Sequence, residues 1–266
     1  MKVLVTGSLG LIGSNVIPGL AARYDLKLSD IHEGEVGGRL VESLDITDYE
    51  SVLRASRGVD AILHLAIASE RTFVTDRDRF HAGDGEEYLR FNEVSIDTNV
   101  RGTYHIYEAA RQNKVASVIY GSSLTVFMGA PAYENVHDNL PPRPSNFYGV
   151  TKLWGETLGE YFARRHGLRV CCLRLGTPHP HPQLAQFPQW LDGPVSHRTF
   201  VTFCDIENSM IAALEAKSPV FGAYMIVSAS RTSIFDVSGA AEIGWQPSDF
   251  IREDVSIVPV DLAATR

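Results

Sequence analysis

Residues 2–13 read K-V-L-V-T-G-S-L-G-L-I-G, and the fold turns on how they are read. Val3 to Thr6 is a short β-branched and leucine-rich run of the kind that forms a strand with no solvent face. Gly7, Gly10 and Gly13 follow at once and open a helix-like segment, Leu11 to Arg23. At this spacing Gly7 allows a tight turn, Gly10 lets the backbone approach a pyrophosphate, and Gly13 lets helix and strand pack closely. The first helical N–H groups, around Leu11 and Ile12, lack intrahelical acceptors and face the phosphates.

Working outward, similar apolar runs recur at Leu26 to Ser29, Ala61 to Leu65, Ser117 to Tyr120 and Arg169 to Arg174. Between them Asp48 to Ser56, Glu86 to Gln112, Tyr148 to His166 and Asp205 to Lys217 carry helical periodicity. Gly167 is placed to cap the Tyr148 helix. This alternation predicts an α/β fold: a Rossmann-type doubly wound parallel sheet with helices on both faces. Residues 1–175 are expected to form the dinucleotide-binding domain, with the 205–217 helix and the strand after it packing on it. Residues 176–266, which open with five prolines between Gly176 and Pro194, are expected to form a small, discontinuous, partly irregular substrate lobe. The mixed-charge segment Glu70 to Glu93 reads as a loop that ends as helix.

Composition narrows the partners. The 266 residues are 44% hydrophobic and 21% charged, as in ordinary globular chains. A net charge of −8 argues against nucleic-acid and anionic-membrane surfaces and for a small-molecule substrate. No apolar run approaches the ~20 residues of a membrane span, and the first residues make no signal peptide, which predicts a cytoplasmic protein. Cys171, Cys172 and Cys204 read as buried small hydrophobes rather than a disulfide framework. His64 has no companions at metal-ligand spacing, so no metal is expected.

Three further stretches carry chemistry. Asp30 ends the second strand 23 residues after Gly7, near the spacing of ~20 at which a carboxylate accepts hydrogen bonds from an adenosine ribose. A carboxylate there repels a 2′-phosphate, so the expected cofactor is NAD. In D-I-T-D, residues 45–48, Asp45 can take an adenine amino group with Ile46 against the ring, or else Asp45 or Thr47 caps the next helix. In N-F-Y-G-V-T-K-L-W-G-E, residues 146–156, Tyr148 and Lys152 lie four apart on one helical face, behind Gly121-Ser122-Ser123 at the end of the fifth strand. A free tyrosine titrates near pH ~10, and an ammonium beside it favours the phenolate. Ser123 can hold a substrate oxygen between itself and Tyr148.

The T-G-x-x-G-x-x-G loop, Asp30, D-I-T-D, H-L-A at 64–66, N-V-R-G-T at 99–103, the serines before Leu124 and Y-G-V-T-K at 148–152 occur in one order. Together they resemble the extended short-chain dehydrogenase/reductase family, which includes nucleotide-sugar epimerases and dehydratases. The resemblance implies that Tyr148 is the catalytic acid/base, Ser123 the orienting hydroxyl, and Lys152 the residue that binds the nicotinamide ribose and lowers the tyrosine's pKa. It implies further cofactor contacts at Asn99, Ile31, Leu65, Ala66, Ile67 and Leu175.

Within that family R-L-G-T-P at 174–178, R-T-F-V-T-F-C-D at 198–205 and E-I-G-W-Q-P at 242–247 are similar to the short uronate dehydrogenases. Ser69 falls where those enzymes place a substrate serine, and Leu124, Thr125 and Thr177 complete the implied substrate contacts. Leu124-Thr125 stands where that group has Asn-His, and no arginine lies between Pro178 and Trp190 to meet a sugar carboxylate, so a neutral sugar stays open. The expected activity is NAD-dependent oxidation of a secondary alcohol or hemiacetal carbon of a sugar or sugar acid. The alternatives are an epimerase or dehydratase using the same triad, and a sensor without catalysis. Relatives pair through the helices of Asn99 and Tyr148, which implies a homodimer.

Overall fold

The computed structural model describes residues 1–68, 85–129, 136–180, 199–231, 233–252 and 256–260. In chain order, β1 (Lys2–Thr6), α1 (Leu11–Leu20), β2 (Asp25–Asp30), β3 (Gly34–Val36), β4 (Arg39–Ser43), α2 (Tyr49–Ala55) and β5 (Ala61–His64) make the first half. Then come α3 (Glu86–Ser95), a widened π turn (Ile96–Gly102), α4 (Thr103–Gln112), β6 (Ser117–Ser123), α5 (Phe147–His166) and β7 (Arg169–Leu175). The remainder supplies β8 (Thr177–His179), β9 (Phe200–Thr202), α6 (Phe203–Glu215), β10 (Phe221–Ile226), β11 (Asp249–Ile251) and β12 (Ile257–Pro259).

β1 lies in the middle of an eight-stranded sheet ordered β10-β7-β6-β5-β1-β2-β4-β3, with Val3 in register with Leu26 on one side and Ala61 on the other. That position explains its unbroken apolar character. Strand order reverses beside β1, so the carboxyl ends of β1 and β5 flank the crevice where such sheets bind ligands. Alternate residues feed two cores. Val3 and Val5 pack with Val16, Ile17 and Leu20 of α1 and Ile206 and Met210 of α6, whereas Leu4 packs with Ile106 and Tyr107 of α4 and Phe162 of α5. A third cluster, built on Leu124, Phe127, Val136, Met225 and Phe235, joins the later chain to the sheet's end. β8 pairs with β9, and β11 with β12, in separate two-stranded sheets.

The sheet is not wholly parallel as expected: β3 runs antiparallel to β4. The cause is Gly37-Gly38, both at positive φ (56° and 74°), the requirement of a two-residue hairpin whose twist matches its strands. The long helix expected over 86–112 is interrupted by the π turn, and the first helix stops at Leu20. Helix α5 starts at Phe147 because the Asn146 side chain accepts from Gly149 N–H at 2.8 Å, and it ends at Gly167 in the left-handed conformation, as its sequence predicts. Cys171 and Cys172 are buried as expected, but Cys204 is exposed on α6, with its Sγ 3.5 Å from Asn208 Nδ2.

Candidate active site

The loop between β1 and α1 is pressed against the exit of β5. At Gly7 (φ +75°) a Cβ would stand 2.6 Å from Ala66 N and 2.7 Å from Leu65 C, so both the dihedral and the space demand glycine. At Gly13 a Cβ would meet Gly7 O at 2.4 Å. Gly13 therefore seats the first turn of α1 on the loop itself, rather than the helix on a strand as its sequence position suggested. Gly10 is the N-cap, exposed and without a capping side chain, so the amides of Leu11, Ile12 and Gly13 are left for an anion.

Asp30 is held at the end of β2 by two backbone donors: Leu9 N–H to Oδ2 at 2.9 Å and Ile31 N–H to Oδ1 at 2.8 Å. Each oxygen keeps acceptor capacity for a ribose hydroxyl. Ile31 and Ile67, 52% and 40% exposed, present apolar surface at the sheet's carboxyl edge. Asp45 and Thr47 do not cap α2. Asp48 does, accepting from Glu50 N–H at 3.1 Å, while Asp45 Oδ1 takes the Thr47 N–H and hydroxyl at 2.8 and 2.7 Å. Ile46 does not offer its side chain to a ring: it is buried in the second core, where a Cβ on Gly102 would touch its Cδ1 at 2.6 Å.

Ser123, Tyr148 and Lys152 lie where β6 ends and α5 begins. Lys152 is buried, its Nζ donating to Gly121 O at 2.6 Å and standing 5.6 Å from the Tyr148 ring centroid and 4.9 Å from that of Tyr120. Burial pulls Lys152 down to about 7, opposed by the nearby Glu156 carboxylate. Tyr148 is half-buried on the preceding turn, and Ser123 Oγ accepts from Thr125 N–H at 3.2 Å. Asn99, inside the π turn, accepts from Ala68 N–H at 2.8 Å and donates to Thr151 Oγ1 at 3.2 Å, and Thr151 donates to Tyr148 O at 2.8 Å. Its side chain thus braces the β5 exit against the helix of Tyr148. His64 is buried between the hydroxyls of Thr6 (2.8 Å) and Thr103 (3.2 Å); burial, then Lys152, depress it to about 3, so it stays neutral.

The substrate side is less uniform. Thr177 Oγ1 lies 3.3 Å from Thr199 Oγ1, and Thr125 Oγ1 is buried without a hydrogen-bond partner. Leu124 is 3% exposed within the third core cluster and Leu175 5% within the first, so neither offers a side chain to a ligand. Ser69 lies outside the described residues, as do Arg198 and most of the proline-rich stretch.

The profile of the NAD dependent epimerase/dehydratase family matches residues 3–179. The chain belongs to the NAD-dependent epimerase/dehydratase family. It is an enzyme of that family, and NAD is its cofactor. The uronate dehydrogenase of Pseudomonas syringae pv. tomato is 29% identical over 253 residues, covering 93% of this chain and 82% of its own. The L-arabinose 1-dehydrogenase (NAD(P)(+)) of Haloferax volcanii is 30% identical over 188 residues, 66% of each chain. The glucuronic acid dehydrogenase of Chromohalobacter salexigens superposes with a TM-score of 0.77 at 24% identity, over 94% of this chain and 85% of that one, a likeness of fold.

The residues present fit the family's cofactor: an uncapped helix start for phosphates, a fixed carboxylate for a ribose, and two exposed isoleucines that a flat ring would cover. Among the described residues no three His, Cys, Asp or Glu side chains gather as a metal site, and no helix is long and apolar enough to cross a membrane. Two residues absent from the expected site also meet it: the Tyr120 ring lies 4.9 Å from Lys152 Nζ, and Thr151 Oγ1 donates to Tyr148 O at 2.8 Å. Thr151 was visible inside Y-G-V-T-K, but its role depends on a contact with Asn99 from 52 residues away.

Proposed function

We propose that this family member is an NAD-dependent sugar dehydrogenase in which Ser123, Tyr148 and Lys152 act together on a hydroxyl of a free sugar or sugar acid. The observation that carries this reading is the Lys152 side chain, buried beside Tyr148 and bound to Gly121, two residues before Ser123. In this reading Ser123 orients the substrate oxygen, and Tyr148, as phenolate beside the lysine, accepts its proton. With that proton removed, the carbon could give up its hydrogen as hydride to a bound acceptor as the C=O bond formed, which would balance the oxidation. Bound NAD supplies the hydride acceptor. The names of the relatives, uronate and L-arabinose dehydrogenases, support the substrate class.

Residues 1–175 serve as the cofactor half and 176–266 as the substrate lobe, with Thr125, Thr177 and Ser69 as the side chains that meet the sugar. Two copies pair through α4 and α5. Support comes from exposed Val150, Trp154 and Tyr161, which follow one stripe of α5, and exposed Ile96 and Tyr104 nearby.

The deciding experiment incubates the protein with NAD and a panel of free sugars, sugar acids and nucleotide sugars and follows NADH absorbance. Stoichiometric NADH with a free sugar or sugar acid is the expected result. A converted nucleotide sugar without net NADH would establish an epimerase instead.

A further inference from the structure

Glu156 closes the stretch that carries Tyr148 and Lys152 and is four residues beyond the lysine, hence on the same helical face. It is 4% exposed. Its Oε1 accepts from Ser122 Oγ at 2.5 Å and from Arg174 Nε at 3.0 Å, and its Oε2 from Arg174 Nη2 at 2.9 Å. Arg174 Nη1 reaches Asp138 O at 3.1 Å and Oδ1 at 3.3 Å, and the same Oδ1 takes Met225 N–H at 2.9 Å. One buried ionic group therefore ties together α5, the ends of β6 and β7, the segment around Asp138, and β10.

Stability alone is a weak reason for such a group, since well-packed apolar residues often replace a buried ion pair without loss. Its geometry points elsewhere. Successive turns of α5 grip successive residues of β6: Lys152 binds Gly121 O, Glu156 binds Ser122 Oγ, and the next residue is Ser123. The titratable and charged groups that face Lys152 and Glu156 are Tyr148 on α5, Tyr120 on β6, His64 on β5, Tyr107 on α4, Cys172 and Arg174 on β7, and Asp138 beyond Arg174. Burial holds His64 neutral and pushes the Tyr107, Tyr120 and Cys172 groups well up, so these four carry no charge at neutral pH. Of the two carboxylates, Glu156 lies one turn from Lys152 on the same face of α5, whereas Asp138 lies beyond Arg174.

We propose that Glu156 is a positioning residue: its negative charge keeps the Lys152 side chain protonated, and its bond to Ser122 fixes the strand end that carries Ser123 in register with Tyr148. The inference rests on the reading of Ser123, Tyr148 and Lys152 given above. With burial already bringing Lys152 to about 7, the loss of one neighbouring charge is enough to neutralise it at working pH.

The chain has five lysines, so the titration of Lys152 can be followed directly in full-length protein carrying 13C-labelled lysine, with K152M assigning the signal. In E156Q the Lys152 midpoint should fall by about one pH unit, and in E156D, which keeps the charge, it should stay near wild type. An unmoved midpoint in folded E156Q overturns the electrostatic role. If E156Q does not fold, E156M serves for the charge; S122A, which leaves both charges in place, tests the strand end and should lower turnover about fivefold with KM for NAD unchanged. Wild-type turnover in S122A overturns the strand-end role. The NMR readout needs no substrate, so its failure is distinct from failure of the triad reading, which an active Tyr148→Phe protein would reveal.

Discussion

The Lys152 nitrogen stands 5.6 Å from the centre of the Tyr148 ring, close enough for its charge to favour the phenolate yet bound to Gly121 O rather than to the tyrosine. Removing the phenol oxygen leaves the Lys152–Gly121 bond in place. Y148F is expected to lose turnover by about 10³-fold while NAD affinity, measured by calorimetry, stays within a few-fold of wild type. Turnover near wild type would refute the role of Tyr148.

Lys152 also makes stability depend on pH. Its folded value of about 7 lies below the ordinary 10.5, so between those values the unfolded chain binds a proton that the folded chain has released. Unfolding then takes up a proton, and the wild type gains stability as pH rises from about 7 toward 10.5; below pH 7 the burial cost stands in full. K152M lacks this term. Thermal unfolding without NAD should find K152M ahead of wild type at about pH 6, with the advantage shrinking by about pH 10. Parallel pH dependences for the two proteins would contradict the burial of the charge.

Gly7 and Gly38 share nearly the same φ, +75° and +74°, but only Gly7 has neighbours where a Cβ would go. G38A should cost about 1–2 kcal/mol, the dihedral term alone. G7A should cost more and should also lose NAD binding, because relieving the 2.6 Å approach to Ala66 N moves the phosphate loop. Equal costs in chemical denaturation would show that the loop yields freely.

In the proposed reading, the carboxylate of Asp30, held by the Leu9 and Ile31 N–H groups, chooses between cofactors. D30A removes the acceptor for a ribose hydroxyl and the charge that repels a 2′-phosphate. It should weaken NAD binding about tenfold and bring NADP closer to it. Unchanged selectivity would move the discrimination elsewhere.

The exposed stripe on α5 is testable in solution. Wild type should sediment at twice the 29.3 kDa chain mass, and W154E, placed on a residue 43% exposed, should sediment as a monomer with its fold intact. A monomeric wild type would leave the stripe without its proposed partner.

The turn at Gly7, the strand end at Asp30 and the shared helix of Tyr148 and Lys152 were legible because local rules govern them. The β3–β4 hairpin was equally legible in E-V-G-G-R-L-V, where paired glycines signal the turn, yet a search for parallel strands passes over it. The burial of the Leu124 and Ile46 side chains was not legible in this way. Each borders a ligand position in the chain, but a side chain's direction is set by packing with residues far away, Phe235 for one and Gly102 for the other. Glu156 was in plain view, and its meaning came only with Ser122 and Arg174 brought beside it by the sheet.

The π turn at Ile96–Gly102 makes chain length, along with the Asn99 side chain, a protected quantity in this part of the molecule. A π turn holds about one residue more than an α-helix over the same rotation, so deleting one residue there would restore a regular helix, with the flanking turns keeping their faces and the widened backbone around Asn99 drawn in. Asn99 could no longer bridge Ala68 and Thr151 at once. Substitutions on the outer face of this segment are absorbed by solvent, whereas a single-codon deletion would unhitch the β5 exit from the helix of Tyr148.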